Sequence, residues 1–180
     1  LGLLGSSLSC MVSNLTYDNK KFKGSQSIHY KCSEELQKYS RELLYLINED
    51  TLAYNNIISA RRLPKKTKSQ ILIRNKEINK SIIYAIEVPL KVLETSLKVH
   101  ESTYKVLKNA NLNCISDIAV ANQSIYSASN GASYNILINL ADLNPNLEKK
   151  YKQKIDYYMK QINSFYLKIN MVVNKELNID

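Results

Sequence analysis

The chain has 180 residues, a size that suits one domain, 1–180, with a core of ordinary extent. Hydrophobic residues make up 44% and charged residues 23%, which excludes a disordered chain, and no run of about 18 apolar residues exists to span a membrane. The net charge of +9 points to an anionic partner; Cys10, Cys32 and Cys114 lie too far apart for a CxxC or Cys/His metal site, so no metal is expected.

With only 4 Gly and 3 Pro, turns are few and elements long. Regular short-spaced turn signals are missing, which argues for helices over strands. The first segment, Leu1 to about Asn19, is small and apolar and reads as a buried helix, with Gly2, Gly5, Ser6 and Ser9 admitting a close neighbour. It has the apolar look of a signal peptide but no basic region ahead of it, so a secreted leader is not expected. The second segment, about Ser25 to Ala60, repeats Leu36, Tyr39, Leu43, Leu46 or Ile47, Tyr54 and Ile57 at helical steps and stops at Leu63-Pro64. The third, about Thr67 to Asn109, opens on a cap at Thr67 or Ser69 and carries Pro89, which predicts a kink. The fourth, about Cys114 to Leu140, has a small-residue face: Ala121, Ile125, Ala128, Ala132 and Ile136. The fifth, about Asn146 to Glu176, is amphipathic with a wet face of Lys, Gln and Asn. The spacing predicts an all-α, up-and-down bundle of about five long helices. A bundle this thin buries its remaining apolar stripe in a partner, so a homodimer or higher homo-oligomer is expected.

Three polar features stand out. Asp50 falls in the stripe Leu43, Ile47, Asp50, Tyr54, Ile57, so its carboxylate is expected to face the interior, either paired structurally or functional. Asp117 shares a face with Ala121, Ile125 and Ala128, but it also sits in a first helical turn, where an acid answers the helix dipole. Arg61, Arg62, Lys65 and Lys66 flank Pro64, with Arg74 near them, as a solvated loop or an anion clamp. The charge otherwise reads as spread along the chain, which sets aside a nucleic-acid binder. Isolated His29 and His100, and thiols of a reduced kind, fit a cytoplasmic protein. The sequons at Asn14 and Asn122 read as chance matches.

Several stretches together resemble the formimidoyl-tetrahydrofolate cyclodeaminase and methenyl-tetrahydrofolate cyclohydrolase family. Leu1 to Thr16 is similar to its first helix, ending Met11-Val12 and Asn14-Leu15-Thr16. Asp50 to Lys65 resembles its Asp-x-x-Ala-Phe/Tyr segment running to Leu-Pro-Lys, and Glu87-Val88-Pro89-Leu90 also matches. Asn111, Asn113, Ser116-Asp117 and the stretch Asn135 to Leu140 resemble its Asn-x-Asn-x-x-Ser-Asp and Asn-Val-x-Ile-Asn-Leu elements. Two departures stand: Ala110 replaces a usual Gly, and the family's Pro-Gly-Gly-Gly-Ser stretch lies ahead of what Leu1 matches, so a truncated or lost glycine loop is expected.

The resemblance implies a dimeric helical enzyme with a tetrahydrofolate derivative as substrate and no permanently bound cofactor. Members close 5-formimino-tetrahydrofolate to 5,10-methenyl-tetrahydrofolate and release ammonia, while some relatives hydrolyse the methenyl group. N10 must lose a proton and the leaving nitrogen must gain one; a positioned carboxylate does both, best where burial raises its pKa toward neutrality. The resemblance puts Asp50 in that role and Asp117 as a second carboxylate. Lys65, with Arg61 or Arg62, would hold the glutamate tail of a folate polyglutamate, and Asn111, Asn113 and Ser116 complete the substrate-binding set. No nucleic acid or membrane partner is expected. A degenerate, non-catalytic helical module is the rival from another class.

Overall fold

A stretch poor in glycine and proline, with apolar residues every third or fourth position, buries most area as a long helix packed along its length. The structure is a computed structural model and describes residues 1–179. Among the described residues are five long helices and no strand: α1 (Gly2–Tyr17), α2 (Gln26–Arg61), α3 (Lys68–Leu107), α4 (Ile115–Leu140) and α5 (Pro145–Leu177). Short 3-10 turns at Lys20–Ser25 and Leu112–Cys114 lead into α2 and α4. The segments expected from the sequence coincide with these helices to within a few residues.

The ends follow from local chemistry. Thr67 caps α3: its Oγ1 accepts from Gln70 N–H at 3.2 Å, while Gln70 Oε1 accepts from Thr67 N–H at 3.2 Å, a reciprocal capping box. Asn144 Oδ1 accepts from Leu147 N–H at 3.0 Å, and Pro145 takes the first helical position of α5, where no hydrogen bond is lost. α5 ends on Asn178 in the left-handed region at φ 52°. Pro89 does not end α3, which runs on to Leu107 with the ring buried.

Helices α1 to α4 form a ring in which α1 packs on α2 and α4, and α3 on α2 and α4; α5 lies outside against α3 and α4. One core cluster gathers Leu36, Leu43, Val99, Ile118, Ile125 and Ile169, and a second gathers Ile82, Ile86, Leu93, Ile136 and Ile162. The small residues of α1 do what their size suggests. A Cβ on Gly5 would stand 2.7 Å from the Ala121 carbonyl oxygen, so α1 and α4 touch backbone to backbone. Ser6 Oγ donates to Leu36 O at 2.9 Å, and Ser9 Oγ shares a 2.8 Å hydrogen bond with Thr103 Oγ1. The expected burial of α1 holds for one face only: Leu4, Met11 and Leu15 are exposed.

Helix α1 carries no charged residue, and α4 carries only Asp117. The outer stripe of α4 therefore presents Val120, Tyr134 and Ile138 to solvent with no charge among them, Ile138 at 77% exposure. The charges of the chain are borne by the other helices and the connections. All three cysteines are buried and free, as expected. Asn122 is fully buried, which bars glycosylation there.

Candidate active site

The stripe on α2 was expected to run through Ile47 and Tyr54, with Asp50 facing inward. It runs instead through Leu43, Leu46, Ala53 and Ala60, while Ile47 is 57% and Tyr54 65% exposed. Asp50 stands one helical step from both Leu46 and Ala53, at the edge of the buried face, and its side chain is exposed. The expected burial of this carboxylate is thus corrected: four residues after a buried leucine, a side chain falls on the margin of the stripe as readily as in it.

That margin is a cleft. Asp50 lines a space of about 400 Å³ where α1, α2, α3 and α4 meet. Leu1, Gly2 and Leu3 close one side, Leu43, Leu46 and Ile47 the floor, and Pro89 with Val92 come from α3. From α4 come Ser127, Ala128, Gly131, Ala132 and Asn135. Among these lining residues Asp50 carries the sole acidic or basic side chain. Thr51, Ser127 and Asn135 supply neutral polar groups. An apolar wall with one carboxylate and a few neutral polar groups suits a largely apolar ligand that has a proton to exchange.

The other candidates lie elsewhere. Asp117 is half-buried in the first turn of α4, roughly 20 Å along that helix from Gly131. Within one chain it does not share the Asp50 cleft. Asn111 and Asn113 sit beside it: Asn111 Oδ1 accepts from Asn113 N–H at 3.2 Å, and Asn111 N–H donates to Thr16 Oγ1 at 3.1 Å. Asn111 therefore holds the turn into α4, whereas Asn113 gives only its backbone N–H and, like Ser116 beyond it, is exposed. Arg61, Arg62 and Lys65 are exposed at the opposite end of the bundle. Arg61 Nη2 pairs with Asp142 at 3.1 Å, and the Arg61 carbonyl accepts from Arg74 Nε and Nη2 at 3.3 and 3.2 Å. Arg61 is tied down, whereas Lys65 is exposed with no ion pair among the described residues. No group of metal-binding side chains occurs among the described residues.

A larger cleft of about 710 Å³ opens between α2 and α3, lined by Leu52, Asn56, Ser59, Glu77, Lys80 and Tyr84 among others. It does not include Asp50. Tyr84 donates to Glu49 near its edge, and that bond pushes the Tyr84 hydroxyl up to about 12. Tyr151 donates to Glu87 Oε1 at 2.6 Å; burial first, then this bond, raise its hydroxyl to about 12. Sequence reasoning missed both tyrosine–glutamate pairs, since nothing local marks partners so far apart along the chain.

The comparisons agree on one family. The model of the formiminotransferase-cyclodeaminase family matches residues 1–161. The chain is 29% identical over 147 residues to the formimidoyltransferase-cyclodeaminase of Rattus norvegicus, covering 82% of this chain and 27% of the rat protein. It thus spans about a quarter of that relative's length. It is 30% identical over 142 residues to the methenyltetrahydrofolate cyclohydrolase of Methylorubrum extorquens, covering 79% of this chain and 68% of that protein. The fold is that of the formiminotetrahydrofolate cyclodeaminase of Thermotoga maritima, with a TM-score of 0.84 over 98% of this chain and 83% of that one at 20% identity. By the length of the family match and by these relatives, the chain belongs to the formiminotransferase-cyclodeaminase family.

Proposed function

We propose that the chain closes 5-formimino-tetrahydrofolate to 5,10-methenyl-tetrahydrofolate and releases ammonia. The observation that carries this reading is Asp50, the lone charged side chain on an apolar cleft, in a chain of this family. In the reaction N10 attacks the carbon of the protonated formimino group, C=NH2+, and its proton leaves, giving an aminal that bears NH2. The former C=N nitrogen takes up a proton, the C–N bond to it breaks, and the N5 lone pair forms the methenyl double bond as ammonia departs. Asp50 takes the N10 proton and returns it to the leaving nitrogen. Asn135 and Ser127, on the facing helix, offer hydrogen bonds to the pterin or the amidine. Lys65 holds the glutamate tail, with Arg62 beside it, at the end of α2 roughly 20 Å from Asp50.

The enzyme acts as a homodimer in this reading. A chain of net charge +9 repels its own copy except through a face without charge, and α1 with α4 supply one. The exposed stripe of α4, through Ser116, Val120, Gln123, Ser127, Gly131, Tyr134 and Ile138, has the same spacing read in either direction from Ser127. A two-fold copy packed antiparallel there sets Val120 against Tyr134 and brings Asp117 of one chain toward Asn135 of the other. Asp50 and Asp117 then serve one site from two chains.

The cyclohydrolase of Methylorubrum extorquens supports a second reading, in which water attacks the methenyl carbon on the same fold; this chain spans more of that relative than of the rat protein. Incubation of the full chain with 5-formimino-tetrahydrofolate and, separately, with 5,10-methenyl-tetrahydrofolate tests the choice. Ammonia with appearance of the methenyl absorbance supports the first reading. Loss of that absorbance without ammonia supports the second, and neither change removes both.

A further inference from the structure

Residues 61–76 hold seven of the chain's 25 cations and none of its 16 acids, which leaves the rest of the chain at +2. What reads along the sequence as part of a spread of charge is gathered by the fold at the free end of the α2–α3 hairpin. Arg62, Lys65, Lys66, Lys68 and Lys76 are all exposed there. The Arg61–Asp142 ion pair brings the α4–α5 connection to the same end, so Lys149 and Lys150 in the first turns of α5 extend the basic surface. In the midst of these cations three consecutive aliphatic side chains stand in solvent: Ile71 at 44%, Leu72 at 73% and Ile73 at 55% exposure.

We propose that this end of the bundle docks on an anionic lipid surface, with Leu72 and Ile73 entering the headgroup layer and the surrounding lysines on the phosphates and carboxylates. Cations alone suit any polyanion, but the exposed aliphatics choose among them. A nucleic acid or a polyglutamate tail gains nothing from Leu72, and residues 61–76 contain no aromatic side chain on which a base stacks. A second copy of the chain is repelled by the six cations of this segment that lie outside the Arg61–Asp142 pair. A bilayer surface uses both features at once: apolar side chains bury at the acyl boundary while lysines meet the negative surface potential. No helix among the described residues is long and apolar enough to cross a membrane. The two chemistries are adjacent because the sharp Pro64 turn folds the basic connection back beside the first turns of α3.

Sedimentation of the full chain with vesicles tests this. The expected result is binding to phosphatidylcholine mixed with phosphatidylserine, none to phosphatidylcholine alone, and release by high salt. The Lys66→Ala/Lys68→Ala/Lys76→Ala variant is expected to bind about a hundredfold more weakly, at about fivefold per lysine. Leu72→Asp/Ile73→Asp, on an exposed surface and with circular dichroism unchanged, is expected to lose vesicle binding while keeping its folate turnover. Failure of the unaltered chain to sediment with the mixed vesicles overturns the proposal. So does equal binding by the Leu72→Asp/Ile73→Asp variant. The readout needs no folate, so it stands or falls apart from the catalytic reading; Asp50→Asn is expected to sediment like the unaltered chain.

Discussion

The Tyr151 hydroxyl donates to Glu87 Oε1 across 2.6 Å and ties α5 to α3. Tyr151 is buried, and its bond to a carboxylate links the outer helix to the ring of four. Tyr151→Phe keeps the packing and removes the bond. Because Glu87 is exposed and rehydrates, the loss is expected to be modest, about 1 kcal/mol. In a chain of this size that lowers the melting temperature by roughly 2–4 °C. Thermal denaturation followed by circular dichroism measures it, and an unchanged melt shows that the bond adds nothing in water.

His100 sets a pH dependence. Its ring is fully buried; Nδ1 lies 3.1 Å from the Ser96 carbonyl oxygen, and neither Nε2 nor the nearby Asn122 Oδ1 has a partner among the described residues. Burial, which outweighs the opposing hydrogen bond to the Ser96 carbonyl, pushes the imidazole down to about 4 from 6.5. Between these values the unfolded chain binds the proton and the folded chain does not, so stability falls as pH falls through that window. The full effect is about 3 kcal/mol, complete near pH 4 and absent above neutrality. Denaturant titrations of the unaltered chain and of His100→Gln at several pH values measure the difference in slope. Parallel profiles for the two chains contradict it.

Gly5 of α1 and Gly131 of α4 respond in opposite ways. Gly5→Ala puts a methyl against the Ala121 carbonyl oxygen and the Ile125 side chain, and is expected to cost about 2 kcal/mol or more. Gly131 meets nothing within 4 Å, so in the isolated chain Gly131→Ala gains helix propensity and stabilises by about 0.5–1 kcal/mol. Chemical denaturation of both variants checks the signs. A stabilised Gly5→Ala shows that α1 and α4 lie farther apart than described.

The charge-free stripe of α4 predicts an oligomer that one charge breaks. Analytical ultracentrifugation of the unaltered chain is expected to show a dimer. Val120→Lys, placed opposite Tyr134 in the two-fold arrangement, is expected to shift it to monomer with little change in helicity. A dimer unaffected by that charge places the contact on another face.

How legible all this is in the sequence varies by level. Helix number and ends are written locally: Thr67, Asn144 and Pro145 set caps whose chemistry does not depend on the rest of the fold. Periodicity does not reveal the exposure of Asp50, because an i, i+3, i+4 pattern fixes a face to within one step, and Asp50 lies on the boundary step between Leu46 and Ala53. The wrong members of the stripe, Ile47 and Tyr54, share that cause, since both are apolar residues on the solvent side of the same edge. Nothing in the sequence told that Asp117 stands at the far end of α4 from the cleft, because that follows from which residues of α4 meet α1 and α2. The Tyr84–Glu49 and Tyr151–Glu87 pairs were out of reach for the same reason.

The catalytic account rests on the Asp50 carboxylate at the mouth of its cleft. Asp50→Asn removes an exposed charge with no hydrogen-bond or ion-pair partner among the described residues, so melting temperature and helicity are expected to stay as they are. Turnover of 5-formimino-tetrahydrofolate by that variant, read as ammonia release, is the direct test. A fall of about a hundredfold or more is the predicted result. Turnover equal to that of the unaltered chain contradicts it and takes Asp50 out of the chemistry.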